Sequence, residues 1–249
     1  MSVITPPSGI KVLDHPVTPE EKAAYIREMF DDIAHRYDLL NSVLSVGIHK
    51  GWRGFATRCA CLELGNSVLD VCSGTGEWTP SLRQAVGPDG LVMAADFSLK
   101  MLQFGDARFR LETAQEVQAD ASVLPFAENS FHAVTVGFGI RNVADRDKAF
   151  REMARVLKPG GRVVCLEFSQ PPPGLFRTGY ELHARHIMPK LGGAISGRPD
   201  AYAYLPASVA QFDSRQQLAE RMRGAGLESV RFVDLTFGLV CVHVGEKPF

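Results

Sequence analysis

Val68-Leu69-Asp70-Val71-Cys72-Ser73-Gly74-Thr75-Gly76-Glu77-Trp78 reads as an apolar strand that ends in an acidic residue, followed by a small-residue turn with two glycines and then a helix. Its partner is Asp96, 22 residues beyond Gly74, which ends a second apolar strand, Leu91-Val92-Met93-Ala94-Ala95. Glycine lets a backbone approach a ligand closely, and a helix start offers unpaired N–H groups to an anion. A carboxylate at the next strand tip suits the vicinal hydroxyls of a ribose. The pattern therefore points to a nucleoside-containing cofactor.

Working outward, 249 residues allow one domain with a small extra lobe, and 45% hydrophobic residues suffice for a core. The formal net charge is −1 with no long basic run, so nucleic acid is not an implied partner. None of the five cysteines (Cys59, Cys61, Cys72, Cys165, Cys241) forms a CxxC pair, which reads as reduced, cytosolic and metal-free. His183 and His186 share a helical face but have no acidic or cysteine partner at metal-site spacing. No apolar run reaches the roughly 18–20 residues of a membrane span, and no signal peptide opens the chain.

Residues 1–17, with Pro6, Pro7 and Pro16, read as a flexible arm. Thr18-Pro19-Glu20-Glu21 is a helix start, and apolar residues at three- and four-residue steps carry a helix through Tyr37. A second helix is expected from His49 to Leu62, so that residues 18–64 form a cap. From residue 65 to 249 the chain reads as a core. Strands are expected at 67–72, 91–96, 117–119, 131–137 and 161–168, with helices at 78–86, 98–112 and 145–157. Pro159-Gly160-Gly161 is expected to stop the last of these helices and turn into the fifth strand. Such alternation predicts a doubly wound α/β fold, a mostly parallel sheet with ligands at the carboxyl ends of its strands. Residues 170–212, with Pro171-Pro172-Pro173 and three tyrosines, read as an insertion over the site, a lid. A helix at 214–225 and strands at 229–236 and 240–244 close the chain. The short link between them makes a hairpin, so the seventh strand runs antiparallel.

Asp70, Gly74, Thr75, Gly76 and Glu77 form the first chemical cluster. Thr79 stands where a dinucleotide fingerprint carries its third glycine, which favours a mononucleoside cofactor with a short amino-acid tail, S-adenosylmethionine (SAM). Asp96, with Phe97 beside it, is expected to take the ribose hydroxyls, although a helix-cap role competes. Asp120 and Ala121 end the third strand, where a carboxylate and an N–H can read the adenine edge. Gly137-Phe138-Gly139-Ile140-Arg141-Asn142 ends the fourth strand. There a bare Gly137 would leave room for a methyl group, and Arg141 and Asn142 would face the cleft. A surface ion pair of Arg141 with Asp145 or Asp147 is the plainer alternative.

These residues resemble the Rossmann-like (class I) SAM-dependent methyltransferases, and more narrowly the quinone-biosynthesis C-methyltransferases. The resemblance is carried by Met29–Asn41, Leu44-Ser45-Val46-Gly47, Trp52-Arg53, Phe138–Val143, Arg155–Gly161, Leu166-Glu167-Phe168-Ser169, Ala201–Leu205 and Val242–Lys247. Departures are Glu77 for a usual aspartate, Asp213 for a usual proline and His132 for a common aspartate. The resemblance implies a seven-stranded sheet and methylation of a reduced polyprenyl quinone precursor. Demethylmenaquinol is the expected acceptor, with the ubiquinol-pathway benzoquinol as the alternative. It also implies Thr75, Asp96, Asp120, Ala121 and Gly137 as the lining of the cofactor site. For the chemistry, Arg141 is expected to supply the positive charge that eases ionisation of the acceptor hydroxyl, with Asn142 beside it in the cleft and Tyr37, by its place in a matching block, as the proton relay ahead of Asp38 or His243. A polyprenyl acceptor implies a cytoplasmic chain meeting the inner face of a membrane through Leu39, Leu40, Val43, Leu44 and Val46, or through the lid; packing of these residues on the core competes. A methyltransferase of other specificity, an NAD-dependent oxidoreductase and a SAM-binding regulator stay as rival readings.

Overall fold

The computed structural model describes residues 18, 21, 24, 26–32, 47–109, 114–174, 177–179, 204 and 207–249. Its strands are β1 (Ser67–Val71), β2 (Leu91–Asp96), β3 (Gln115–Gln118), β4 (Phe131–Gly137), β5 (Leu157–Phe168), β6 (Glu228–Leu235) and β7 (Val240–Glu246). They form one sheet in the order β3-β2-β1-β4-β5-β7-β6. All neighbours are parallel except β7, which slots antiparallel between β5 and β6. The helices are α1 (His49–Cys59), α2 (Thr79–Val86), α3 (Leu99–Phe109), α4 (Arg146–Val156) and α5 (Arg215–Gly224), and residues 26–32 are helical ahead of them.

Neighbouring strand residues divide between two apolar layers, as period-two alternation requires. Leu69, Val134, Val163 and Cys165 face one way, against Phe150 and Met153 of α4 and Leu218 and Met222 of α5. Val68, Ala133, Val164 and Leu166 face the other, against Trp52 and Ala56 of α1 and Leu82 and Val86 of α2. With both faces covered, β1 is buried along Val68–Val71 and reads as a continuous apolar run. α1, assigned to a cap by the sequence, thus packs directly on the sheet.

Local chemistry explains the helix boundaries. Asp145 caps α4 by accepting from the Lys148 N–H at 2.9 Å. Ser214 and Gln217 form a reciprocal capping box at the start of α5. Arg221 then ties α5 to α4, bonding Asp213 at 2.8 Å and Asp147 at 2.7 Å.

Two expectations change. Pro159-Gly160-Gly161 does not end α4, which stops at Val156; extended backbone begins at Leu157, paired with Phe131, and the register slips before Ala133 meets Arg162. Gly160, at φ 75°, sits in that irregularity, so the three residues kink β5 rather than precede it. β3 starts two residues and ends one residue earlier than expected because it is an edge strand, mostly exposed and without an apolar run to mark it. Of the insertion, residues 177–179, 204 and 207–210 are helical, while Tyr180, Tyr202, His183 and His186 lie outside the described residues.

Asp70 is fully buried under the sheet's carboxyl end and accepts from Thr135 Oγ1 at 2.7 Å. Burial pushes its pKa from 3.8 up to about 7. A carboxyl whose native pKa exceeds its unfolded one takes up a proton on folding. Its favourable contribution is complete below the unfolded pKa and is lost as pH rises through the native one. Asp70→Asn is therefore expected to raise Tm relative to wild type by an amount that widens between about pH 5 and about pH 8, read by thermal denaturation. A difference that stays constant across that range contradicts the assignment.

Candidate active site

The site forms where β1, β2 and β4 end side by side. After β1 the chain turns through Cys72 (φ 55°) and Gly74 (φ 57°). Two bonds lash this turn to β2: the Ser73 N–H donates to the Ala95 carbonyl at 3.1 Å, and the Gly74 N–H to Asp96 Oδ2 at 2.8 Å. The other carboxylate oxygen of Asp96 accepts from the Ser98 N–H at 2.9 Å. Ser98 itself caps α3, its Oγ accepting from the Met101 N–H at 3.1 Å and donating to Asp31 Oδ1 at 2.5 Å. The cap and the carboxylate are thus separate devices. Burial pushes the Asp96 pKa up to about 6, against the hydrogen bonds that hold its ionised form down.

These tips enclose a cavity of about 400 Å³, within the ~300–1,000 Å³ typical of small-molecule sites. Gly74, Thr75 and Glu77 line it from β1, and Asp96 and Phe97 from β2. Asp120 and Ala121 line it from the loop after β3, and Gly137 and Asn142 from β4. Asp120 Oδ1 is engaged by the Ser122 N–H at 2.7 Å and hydroxyl at 2.6 Å, and Oδ2 has no protein donor among the described residues. From the N-terminal helix, Ile26 and Phe30 complete the wall.

Several expected residues are placed elsewhere. Asp70 lies beneath the turn, held by Thr135, and does not line the cavity. Gly76 is also off the wall; its carbonyl accepts from Thr79 N–H at 3.0 Å and Oγ1 at 2.7 Å, so the turn is closed by the threonine that replaces a third glycine. Gly137 touches the cavity, but a Cβ there would meet Trp78 Cε3 at 2.8 Å. Its bareness thus accommodates the indole. Arg141 does not face the cleft: it is 7% exposed, and its Nη1 donates to the Phe138 carbonyl and to Glu167 Oε1 at 2.8 Å. Its partner is Glu167 on β5, neither Asp145 nor Asp147. Burial between β7 and α5 lowers the His243 pKa to about 4, and its Nε2 meets the Arg215 carbonyl at 2.9 Å, off the cavity wall. Tyr37, His35 and Asp38 lie outside the described residues.

The structure adds residues the sequence reading did not assign to the site. Arg53 of α1 reaches the cavity and bonds Glu77 Oε2 through Nη2 at 2.8 Å, while His49 Nε2 stands 3.6 Å from Glu77 Oε1. Burial pulls the His49 pKa below its ordinary value even though Glu77 faces it. Phe138, at φ 58°, packs between Phe168 (centroids 4.7 Å apart) and Trp52 (6.1 Å). The signal for Arg53 was present: His49 and Arg53 share one helical face, i and i+4, with the buried Trp52 and Ala56. Charged residues on a helix's core face need a partner or a ligand. Tyr204 of the insertion donates to Asn142 Oδ1 at 2.9 Å.

The cavity also passes a test of fit to a polar, charged cofactor. Two buried polar atoms on its wall, Ser73 Oγ and Arg53 Nη1, have no hydrogen-bond partner among the described residues. The carboxylates of Glu77, Asp96 and Asp120 lie on the same wall.

Comparisons with known proteins agree with this architecture. The solved [4+2]-cyclase SpnF aligns with a TM-score of 0.66 at 18% identity, covering 91% of this chain and 97% of that one. A SAM-dependent methyltransferase from Thermotoga maritima aligns with a TM-score of 0.60 at 19% identity, covering 88% and 98%. In sequence, the chain is 39% identical over 235 residues to the ubiquinone/menaquinone biosynthesis C-methyltransferase UbiE of Escherichia coli O1:K1, covering 93% of this chain and 94% of that protein. The same identity holds for UbiE of Shigella boydii serotype 18. Residues 18–247 match the family described as the ubiE/COQ5 methyltransferase family, and the chain belongs to it.

Proposed function

We propose that this chain transfers a methyl group from SAM to a ring carbon of a reduced polyprenyl quinone precursor, with demethylmenaquinol as the acceptor. The observation that carries the reading is the junction of Asp96, the Gly74 turn and Asn142 around one cavity, in a chain of the ubiE/COQ5 methyltransferase family. SAM supplies an electrophilic methyl on a sulfonium centre.

The residues divide the work by position. Asp96 would accept from the two ribose hydroxyls, Asp120 and the Ala121 N–H would read the adenine edge, and Glu77 would take the ammonium. At the acceptor, a ring carbon becomes nucleophilic as a neighbouring hydroxyl ionises, and a free phenol has a pKa of about 10. Asn142, on the cavity wall, would hold that hydroxyl. Because Tyr204 donates to its Oδ1, its NH₂ is the end left to donate toward the acceptor oxygen. Arg141, neutralised by Glu167, acts through the backbone: it fixes the 138–142 turn that presents Asn142. The new C–CH₃ bond forms as S–CH₃ breaks, and the ring proton then leaves to restore aromaticity. Tyr37 is the proposed proton acceptor on its place in the matching block. Union of an anion with a sulfonium cancels charge, which a closed, dry site favours.

The acceptor's tail brings the chain to a bilayer surface. Among the described residues no helix is long and apolar enough to cross a membrane. The cap residues Leu39, Leu40, Val43, Leu44 and Val46, or the insertion, are the proposed contact; the former lie outside the described residues. The UbiE relative's name covers both quinone branches, so the benzoquinol acceptor is the second reading.

The deciding experiment incubates purified chain and SAM with short-tailed demethylnaphthoquinol or methoxybenzoquinol, each reduced or oxidised, and reads product mass. Methylation is expected on the reduced naphthoquinol and not on either oxidised form. Turnover of the benzoquinol alone selects the second reading, and turnover of neither overturns the function. Asn142→Ala should lower kcat by about a hundredfold while SAM affinity, read by calorimetry, stays within a factor of about two. SAM affinity should also weaken as pH falls through about 6, where Asp96 gains its proton. A binding constant flat across that interval excludes the carboxylate as the hydroxyl acceptor.

A further inference from the structure

We infer that Arg53 recognises the carboxylate of the cofactor's amino-acid end, so that Arg53 and Glu77 together read that end as a zwitterion. The inference rests on the reading of the cavity as a SAM site and adds to it a determinant of which sulfonium compounds enter.

The argument begins with an unsatisfied donor. The Arg53 side chain is 9% exposed and lines the cavity. Nη2 is spent on Glu77 Oε2 at 2.8 Å, and the guanidinium lies 5.6 Å over the Phe138 ring, which fixes its plane from a second side. Nη1 is buried and meets no acceptor among the described residues. A buried donor on a permanently charged group is costly to leave unpaired. Arginine's fork suits a planar carboxylate, and the bond so formed is charge-assisted.

Charge balance selects the occupant. Glu77 and Arg53 already form a neutral pair, with His49 beside it. A lone anion brought to Nη1 would stand close to the Glu77 carboxylate and be repelled. An amino acid's α-ammonium and α-carboxylate bring both signs together and add no net charge to a desolvated corner. That matters because uncompensated buried charge is strongly unfavourable. A quinol hydroxylate, the other anion of the reaction, is disfavoured here by the same Glu77.

The departure at residue 77 fits this geometry. Glutamate is one methylene longer than the aspartate of the family pattern. It spans from the β1 turn to α1, so its contact with Arg53 sets the spacing of the two charges the ligand must match.

The test is calorimetric and needs no turnover. SAM is titrated against its decarboxylated analogue, which keeps the adenosine, the sulfonium and the ammonium and lacks only the carboxylate. Wild type is expected to bind SAM about tenfold to a hundredfold tighter than the analogue. In Arg53→Met the preference for SAM over the analogue should vanish, with Arg53→Lys recovering part of it. Equal affinities in wild type overturn the inference without recourse to any variant. Parallel loss of both ligands in Arg53→Met overturns it too, making the residue a packing element. If wild type binds neither compound, the cofactor reading itself has failed; if it binds both equally, only the assignment of Arg53 has.

Discussion

One carboxylate organises the site. Asp96 ends β2 and accepts from the Gly74 N–H of the neighbouring turn and from the Ser98 N–H at the start of α3. These two bonds fix three things at once: the lateral spacing of two strand tips, the left-handed turn at Gly74 and the entry into α3. The carboxylate is almost inaccessible, 5% exposed, and stays partly compensated only because backbone donors reach it. A hydrophobic residue there would leave the Gly74 N–H and the helix start without acceptors.

The same logic repeats along the carboxyl edge of the sheet. The Glu167 carboxylate on β5 accepts from the Arg141 guanidinium and from the Arg141 backbone N–H, and so holds the turn beyond β4. Thr135 holds Asp70. Glu77 holds Arg53 and brings α1 onto the site. Polar groups buried at strand ends thus serve as braces for loops that carry no regular hydrogen-bond ladder of their own, and buried polar networks of this kind stiffen a site.

Much of this was legible in the chain. β1, β2 and β4 announce themselves as apolar runs because both sheet faces are covered, and the glycine turn and Asp96 follow from the spacing of small and acidic residues. The hairpin of β6 and β7 follows from a short link. What escaped was direction. Arg141 follows a cleft-lining strand and was expected to face the cavity, but its orientation is set by Glu167, 26 residues on and on a neighbouring strand. Local sequence does not encode a contact between two strand ends. Gly137 does line the cavity, but the indole of Trp78 packed against it comes from another turn and was not foreseen. Arg53 was hidden by its helix, whose polar pair sits on the core face, where a sequence reading expects packing. β3 was misplaced because an exposed edge strand carries no apolar mark.

The charge on the cavity wall carries one more meaning. Among its described lining residues, four carboxylates (Glu77, Asp96, Asp120 and Asp145) face two cations, Arg53 and Lys148. On the proposed function, a chamber with this excess of negative charge would attract a sulfonium by Coulomb force. That attraction would lapse once the methyl had gone and sulfur had become an uncharged thioether, so the wall's charge would favour fresh cofactor over spent.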